Sequence, residues 1–153
     1  PLDALEPFRV AGPVQEPAPL PYLRPAGPAA FDIQLEVAIQ PAGGAETVVS
    51  RSNMKYLYWS LAQQLTHHAS NGCNLEVGDL YATGTISGPT PDSLGSMLEL
   101  AWRGTRPVPL ADGSDRKFLL DGDTVVLRAY AERDGLRIGF GEVRGEVLPA
   151  NVV

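Results

Sequence analysis

The segment Phe31-Asp32-Ile33-Gln34-Leu35-Glu36-Val37-Ala38-Ile39-Gln40 alternates apolar side chains with mostly polar ones from end to end. Because successive side chains of a β-strand point to opposite faces of a sheet, this alternation predicts a half-buried strand. The turn-forming residues 41–45 follow it, and we expect residues 46–50 to return as a second strand. The segment is therefore predicted to open a β-hairpin.

Further strands are predicted toward the C-terminal end of the chain. They cover residues 80–86, 117–120 and 124–132 and a segment that starts at Leu136, and Asp/Gly turns lie between the later ones. In the last strand, the alternation of apolar and other side chains changes register at Gly141-Glu142, which indicates a β-bulge there.

One helix is predicted near residues 53–70, where apolar side chains recur at helical spacing. Ser52 or Asn53 is the expected N-cap. After this helix, Cys73 and Leu75 are expected to enter the core. Strands with one main helix predict a mostly β chain of the α+β class.

Residues 1–30 are rich in proline, which disfavours both a helix and a central strand. Such a segment is either a disordered linker or an extended arm that lies over a packed body. Leu20, Tyr22 and Leu23 give it apolar anchors, and we interpret it as an arm that leads into a domain at 31–150. The chain begins without methionine inside this stretch, so we expect it to be part of a longer polypeptide whose upstream part is absent.

The chain has 153 residues and a formal net charge of −6. That length suits one domain with a real core, and the acidic balance without a basic cluster argues against nucleic-acid binding. No apolar run approaches the ~18 residues of a membrane span, and no signal-peptide pattern is visible. The single cysteine, Cys73, excludes an internal disulfide and favours a reducing compartment. We therefore expect a cytoplasmic protein with neither a membrane nor a nucleic-acid partner.

Two short segments, Gly84-Thr85-Ile86-Ser87-Gly88 and 95–102, carry side chains of chemical interest. We predict both as strands joined by a Pro-containing loop. In that register Thr85 and Ser87 share one side, and Glu99 lies among small or apolar neighbours. A carboxylate in such a setting must be exposed, paired or used in chemistry. Spacing alone favours a solvated edge position for Glu99 and an ordinary β-branched strand residue at Thr85.

Other patterns indicate no metal or nucleotide site. His67 and His68 are adjacent in a predicted last helical turn and point ~100° apart, so they cannot both face one ligand, and a role in capping or packing is favoured. The Gly-rich run 139–145 is too long for the dinucleotide fingerprint, and no helix is predicted after it. Asp121-Gly122-Asp123 lacks the later ligands of a calcium loop.

Six phrases, in this order along the chain, carry a resemblance to a known family. They are Gln63-Gln64-Leu65-Thr66-His67-His68, Asn71-Gly72-Cys73-Asn74-Leu75, Gly84-Thr85-Ile86-Ser87-Gly88, Gly95-Ser96-Met97-Leu98-Glu99-Leu100, Phe118-Leu119-Leu120-Asp121-Gly122-Asp123 and Gly139-Phe140-Gly141. The chain resembles the C-terminal part of the catalytic domain in the fumarylacetoacetate hydrolase family, over nearly its whole length. The resemblance implies a rolled mixed β-sandwich.

The resemblance also implies a metal-dependent hydrolase that cleaves the carbon–carbon bond of a diketo acid, 4-fumarylacetoacetate, into fumarate and acetoacetate. This reaction is the last step of tyrosine and phenylalanine catabolism. The family implies Mg²⁺ or Ca²⁺, a histidine base and a homodimer, with the metal ligands and the histidine in the absent upstream segment. Within this chain the resemblance assigns Thr85 to substrate binding and gives Glu99 a catalytic role in support of the histidine.

Two alternatives to this hydrolase stay open. One is a non-catalytic β-roll that acts as a scaffold or dimerisation module. The other is a related enzyme that hydrolyses acylpyruvates or hydrates keto acids. Under the leading interpretation, the chain is active only together with its upstream segment and is inactive alone.

Overall fold

The computed structural model of the protein describes residues 1–151, and a four-stranded antiparallel sheet forms its centre. In chain order the strands are β1 (Arg9–Val10), β2 (Ala30–Phe31), β3 (Gln34–Gln40), β4 (Thr47–Asn53), β5 (Val108–Pro109), β6 (Asp115–Arg116), β7 (Thr124–Arg133) and β8 (Leu136–Glu146). The α-helices are α1 (Leu61–Ala69) and α2 (Met97–Leu100), and 3₁₀ helices span Leu2–Phe8, Pro21–Leu23, Met54–Tyr56 and Pro91–Ser93. None of the helices described is long and apolar enough to cross a membrane.

The central sheet has the strand order β4-β3-β7-β8, and two small sheets pair β1 with β2 and β5 with β6. The predicted mostly β, α+β class is confirmed. Every pairing between the strands of residues 1–151 is antiparallel, so the mixed pairing implied by the family resemblance is not seen in this part of the protein. Short turns join β3 to β4 and β7 to β8, and such turns can return only an antiparallel strand.

The predicted strand at 31–40 is interrupted at Asp32 and Ile33. Its first part, β2, pairs with β1, whereas β3 joins the central sheet. The N–H of Asp32 donates to the carbonyl of Phe8 at 2.9 Å, which brings the start of the chain onto the sheet. Phe8 is fully buried and packs in one cluster with Phe31, Ile33 and Ala131. The beginning of the chain therefore contributes directly to the core.

The predicted helix at 53–70 is wrong at its N-terminal end, because α1 starts only after a separate 3₁₀ turn, Met54–Tyr56. Asn53 caps only that turn. Ser60 is the N-cap of α1: its hydroxyl accepts from the N–H of Gln63 at 3.3 Å, and the side-chain oxygen of Gln63 accepts from the N–H of Ser60 at 2.9 Å. This reciprocal capping box satisfies two N–H groups that a helix start otherwise leaves free.

Gln63 also ties the proline-rich segment to the start of α1. Its buried side-chain amide donates to the carbonyl of Leu23 at 2.9 Å and to the side-chain oxygen of Gln15 at 2.8 Å. Gln15 in turn donates to the carbonyl of Tyr58 at 2.6 Å. These bonds fix residues 15–23 against the body of the structure.

Four local predictions are wrong. Residues 80–86, with the overlapping segment 84–88, and residues 117–120 are not strands, and segment 95–102 contains α2 instead of a strand. Cys73 is exposed and Leu75 is 44% exposed, so neither lies in the core. Strands are stabilised by the backbone hydrogen bonds of a neighbouring strand, and apolar spacing within one segment cannot supply that neighbour.

The bulge predicted near Gly141-Glu142 is confirmed. Arg128 faces Glu142 across the β7–β8 pair, whereas Tyr130 faces Gly139, so β8 carries one extra residue between the two pairs. Gly141 has a φ of 76°, a left-handed conformation that glycine adopts without steric cost. A bulge bends its strand and increases the local twist, and here it does so beside the cleft of the candidate site.

The two faces of the central sheet differ in charge. On one face Arg128 contacts the carboxylates of Glu36, Glu46 and Glu142. Hydrogen bonds to Glu46, and then to Glu142, raise the pKa of the Arg128 guanidinium, and the same contact lowers the pKa of the Glu46 carboxyl. The opposite face is mainly apolar and carries Leu35, Val37, Leu127 and Ala129, with Ser50 and Ser52 of β4 beside them. The candidate site lies on this apolar face.

Arg116 and Asp123 form a buried ion pair that closes the turn before β7. The guanidinium donates two hydrogen bonds of 2.8 Å, one to each carboxylate oxygen, and the N–H of Leu120 adds a third at 2.9 Å. Asp123 is only 1% exposed. The Arg116 hydrogen bonds above all hold the pKa of the Asp123 carboxyl below its ordinary value.

We predict that Asp123→Asn destabilises the protein by about 3–5 kcal/mol, because it leaves the Arg116 charge buried without a counter-charge. Because the folded pKa of Asp123 lies below its unfolded value, the stabilisation is present near neutral pH and is lost as the pH falls below about 4. Chemical unfolding near neutral pH and at about pH 3 measures both effects.

Asp121→Asn is the matched control, since Asp121 is an exposed carboxylate in the same turn. It should change the free energy of unfolding by less than about 0.5 kcal/mol. Equal losses for the two variants near neutral pH would contradict the role assigned to the ion pair.

Candidate functional site

A cleft of about 330 Å³ lies on the apolar face of the central sheet. Strands β3 and β7 form its floor, with side chains that include Leu35 and Ala129, and the bulged part of β8 borders it. The irregular segment at 84–86 and Gly95 close the remaining side. The cleft therefore brings together the two segments that the sequence singled out.

Glu99 lies in the third position of α2 and is half-buried. Ser96 is the N-cap of this short helix, and its hydroxyl accepts from the N–H of Glu99 at 3.3 Å. The same hydroxyl donates to Oε2 of the Glu99 carboxylate at 2.8 Å. The local helix start thus holds the carboxylate close to the backbone instead of extending it into solvent.

Ser87 provides the second contact to Glu99, from the other segment. Its hydroxyl lies 2.8 Å from both Oε1 and Oε2 of the carboxylate. The N–H of Gly95 donates to the Ser87 oxygen at 3.0 Å. Ser87 therefore connects segment 84–88 to the helix that carries Glu99.

The Glu99 carboxylate is held by neutral donors. Within residues 1–151 it takes part in no salt bridge. A carboxylate offers about four acceptor positions, and the two serine hydroxyls do not fill them. The carboxylate thus keeps free acceptor capacity for a cationic or N–H partner.

Thr85 lies in the irregular segment, and its exposed side chain lines the cleft. Gly95 approaches it closely: a Cβ atom built on Gly95 would lie 2.7 Å from Cγ2 of Thr85 and 2.8 Å from the carbonyl oxygen of Ile86. Side chains do not tolerate such distances, so this approach requires glycine. Glu99 is not among the residues that line this cleft, and it contacts Ser87, two residues after Thr85 in the same segment.

The two histidines lie away from this site. Nδ1 of His67 is 3.2 Å from the hydroxyl of Tyr22, while His68 contacts the ring of Tyr81 edge-on at 5.9 Å between centroids. They face different neighbours, as their adjacency predicts. In the part of the chain that the structure describes, no group of three His, Cys, Asp or Glu side chains could hold a metal ion.

Ser87 and Ser96 are partners of Glu99 that the sequence analysis does not predict. For Ser96 a signal was present, because Ser-x-x-Glu is the capping-box pattern of a helix start. It would have predicted both α2 and the proximity of the two side chains. The link between Ser87 and Glu99 joins segments separated by a loop, and neither spacing nor composition signals it.

Comparison with known proteins agrees with these observations. The family model described as the C-terminal part of fumarylacetoacetate (FAA) hydrolase matches residues 4–148. Fumarylacetoacetase from Bos taurus is 57% identical over 151 residues, which cover 98% of this chain and 36% of the relative. The Homo sapiens fumarylacetoacetase is 56% identical over the same shares, and the Oryza sativa subsp. japonica fumarylacetoacetase is 51% identical over 150 residues.

The chain thus spans about a third of the length of the curated relatives that it matches (36% of the Bos taurus protein). The match between chain and family model leaves only a few residues at each end uncovered. Half of this sequence or more is shared with relatives from animals and plants. The chain belongs to the fumarylacetoacetate hydrolase family and corresponds to its C-terminal part.

Proposed function

We propose that this chain forms part of the active site of an enzyme that hydrolyses 4-fumarylacetoacetate to fumarate and acetoacetate, the last step of tyrosine and phenylalanine catabolism. One observation carries the proposal: the half-buried Glu99 carboxylate is held by two hydroxyl donors, and one of them, Ser87, lies two residues after Thr85, which lines the cleft. The name shared by the relatives supports the choice of substrate.

In the proposed reaction, water attacks the carbonyl carbon next to the bond that breaks. A histidine from the part of the enzyme outside this chain takes the proton of that water. The water oxygen becomes a carboxylate oxygen of fumarate, and the electron pair of the cleaved carbon–carbon bond leaves in the enolate of acetoacetate. Protonation of the enolate carbon completes acetoacetate, so that one water is consumed per substrate.

Glu99 would orient this histidine and stabilise the imidazolium that forms. A carboxylate that accepts one imidazole N–H fixes the tautomer, so that the other ring nitrogen is free to accept the proton of water. The two serine hydroxyls leave the negative charge of Glu99 uncompensated. That charge is what the imidazolium requires.

Thr85 would bind the substrate. Its hydroxyl is a neutral donor in a cleft that apolar and polar residues line together, which suits a carbonyl or carboxylate oxygen of a diketo acid. Gly95 holds the backbone of this segment by close contact. Thr85 is therefore presented from a fixed loop.

The divalent ion implied by the family, Mg²⁺ or Ca²⁺, would polarise the diketone oxygens when bound. The side chains of residues 1–151 do not fit such an ion. We propose that its ligands, like the histidine, lie in the upstream part of the enzyme, so that this chain alone is inactive. We further propose that the full-length enzyme is a homodimer in the cytoplasm. Light scattering of the full-length protein measures its number of subunits.

A non-catalytic scaffold or dimerisation module is the second candidate, and one observation favours it. Segment 71–82 is almost entirely exposed and carries large apolar side chains, with Val77 and Leu80 the most exposed among them. Exposed apolar clusters mark contact surfaces. A scaffold needs no particular carboxylate at position 99, and this separates the two candidates.

We predict that Glu99→Gln in the full-length enzyme lowers kcat for 4-fumarylacetoacetate by about 10²–10⁴-fold with little change in thermal stability. The amide keeps the shape of the side chain but removes the charge that supports the imidazolium. Glu76→Gln, at an exposed glutamate, is the control and should retain full activity. Unchanged turnover in Glu99→Gln would favour the scaffold.

We predict that Thr85→Val lowers kcat/KM by about 10-fold, mainly through KM, because valine keeps the shape of threonine and removes one hydrogen bond to the substrate. Thr83→Val is the matched control, since the Thr83 hydroxyl donates to the neighbouring carbonyl of Gly84 at 3.0 Å. Steady-state kinetics of both variants measures the difference. Equal effects would place Thr85 among residues that only shape the loop.

A further inference from the structure

We infer that Ser87 is a positioning residue that couples the substrate-binding segment to Glu99. The inference rests on the proposed function, because it concerns how the same site is held together. Ser87 lies two residues after Thr85 in the segment that borders the cleft, and its hydroxyl contacts the Glu99 carboxylate. The Ser87 hydroxyl thus links the segment of Thr85, which would bind the substrate, to Glu99, which would orient the histidine.

The direction of the Ser87 hydroxyl is determined by its neighbours. A serine hydroxyl has one proton to donate and can also accept. The Ser87 oxygen accepts from the N–H of Gly95 at 3.0 Å, and its hydroxyl donates to the carboxylate, at 2.8 Å from either oxygen of Glu99. Ser87 therefore links the N–H of Gly95 to the Glu99 carboxylate.

The two oxygens of the Glu99 carboxylate differ in the hydrogen bonds that they accept. Oε2 receives the Ser96 hydroxyl at 2.8 Å and shares the Ser87 proton, whereas Oε1 has only the shared proton. Oε1 thus keeps the greater free acceptor capacity, and we assign it as the oxygen that receives the histidine N–H. Rotation of the carboxylate would break both serine contacts, so the serines fix which oxygen is offered.

Gly95 makes the connection rigid. Its N–H holds Ser87, and its Cα lies against Thr85 and the backbone of Ile86 so closely that a Cβ would come within 2.8 Å of the Ile86 carbonyl oxygen. A shift of the segment that carries Thr85 must therefore move Ser87. Through Ser87 it must also move the Glu99 carboxylate.

Neutral donors suit this task better than a cation. A lysine or arginine beside Glu99 would hold it in place but would compensate the charge that the imidazolium needs. Hydroxyl groups hold the carboxylate by hydrogen bonds without adding a net charge. The pair of serines therefore fixes Glu99 while leaving its charge available to the base.

A double-mutant cycle in the full-length enzyme tests the inference, with kcat and KM for 4-fumarylacetoacetate as readouts. Ser87→Ala should lower kcat by about 10- to 100-fold, the usual effect of removing the partner that orients a functional group. Because Ser87 acts through Glu99, the same change in a Glu99→Gln background should lower kcat by less than about 3-fold. Equal effects of Ser87→Ala in the two backgrounds would overturn the inference.

Three further variants separate positioning from folding. Ser93→Ala is the matched control: Ser93 is a buried serine of the neighbouring turn whose hydroxyl bonds to Thr90, and its loss should lower thermal stability but leave kcat unchanged. Ser87→Thr keeps the hydroxyl and should restore most of kcat. Ser87→Cys keeps the size of serine with a weaker donor and should be intermediate, which gives a measurement even if Ser87→Ala does not fold.

The outcomes distinguish this inference from the proposed function. If Glu99→Gln retains full turnover, the proposed function fails. If Glu99→Gln loses turnover while Ser87→Ala retains it, only the role of Ser87 fails. A loss of kcat in Ser93→Ala equal to that in Ser87→Ala would likewise overturn the inference, because it would show a general packing effect.

Discussion

The antiparallel pairing of β3 with β7 is the constraint on which the rest of the structure depends. It joins a hairpin near the start of the chain to a hairpin near its end, across a sequence separation of 92 residues between Glu36 and Arg128. The pairing gives the sheet one charged face and one apolar face. Everything between the hairpins must then pass over or beside that sheet, and the segment that carries Thr85 lies on the apolar face.

At the candidate site, the need of the Glu99 carboxylate for hydrogen-bond donors determines how the surrounding segments are arranged. A half-buried carboxylate without a cation must find neutral donors, and the two hydroxyls that reach Glu99 come from different segments. The need to hydrogen-bond one side chain therefore joins a helix start to a loop. This explains how a short helix and an irregular loop, neither of which is part of a sheet, keep a defined relative position.

The strands of the central sheet could be predicted from sequence because alternation over a long segment has one interpretation. Helix starts could not be predicted from apolar spacing, and both were missed for the same reason. Ser60 and Ser96 are the N-caps, with Gln63 and Glu99 three positions later, and this Ser-x-x-Gln/Glu signal outweighs the apolar pattern around it. Only Ser60 and Gln63 form the full reciprocal capping box, since the Glu99 carboxylate accepts from the Ser96 hydroxyl. Segment 95–102 is so short that its alternation fits a strand and a single helical turn equally well.

The site could be predicted only in part. The resemblance singled out Thr85 and Glu99, but the residue that connects them, Ser87, depends on a contact that forms when the chain folds. The close approach of Gly95 is equally invisible in one sequence, because it depends on where the backbone of Ile86 lies. The residue types in a sequence identify candidate functional groups, whereas the relative positions of these groups depend on tertiary packing.

The contact made by Gly95 has a consequence for how this region changes during evolution. Because the nearest obstacle to a side chain includes a backbone oxygen, the carbonyl of Ile86, no smaller residue elsewhere can make room for it. A substitution at this position thus has no compensating partner. Descendants of this sequence can reach another residue there only by re-routing the backbone of the loop itself, a change that point mutations seldom achieve in a single step.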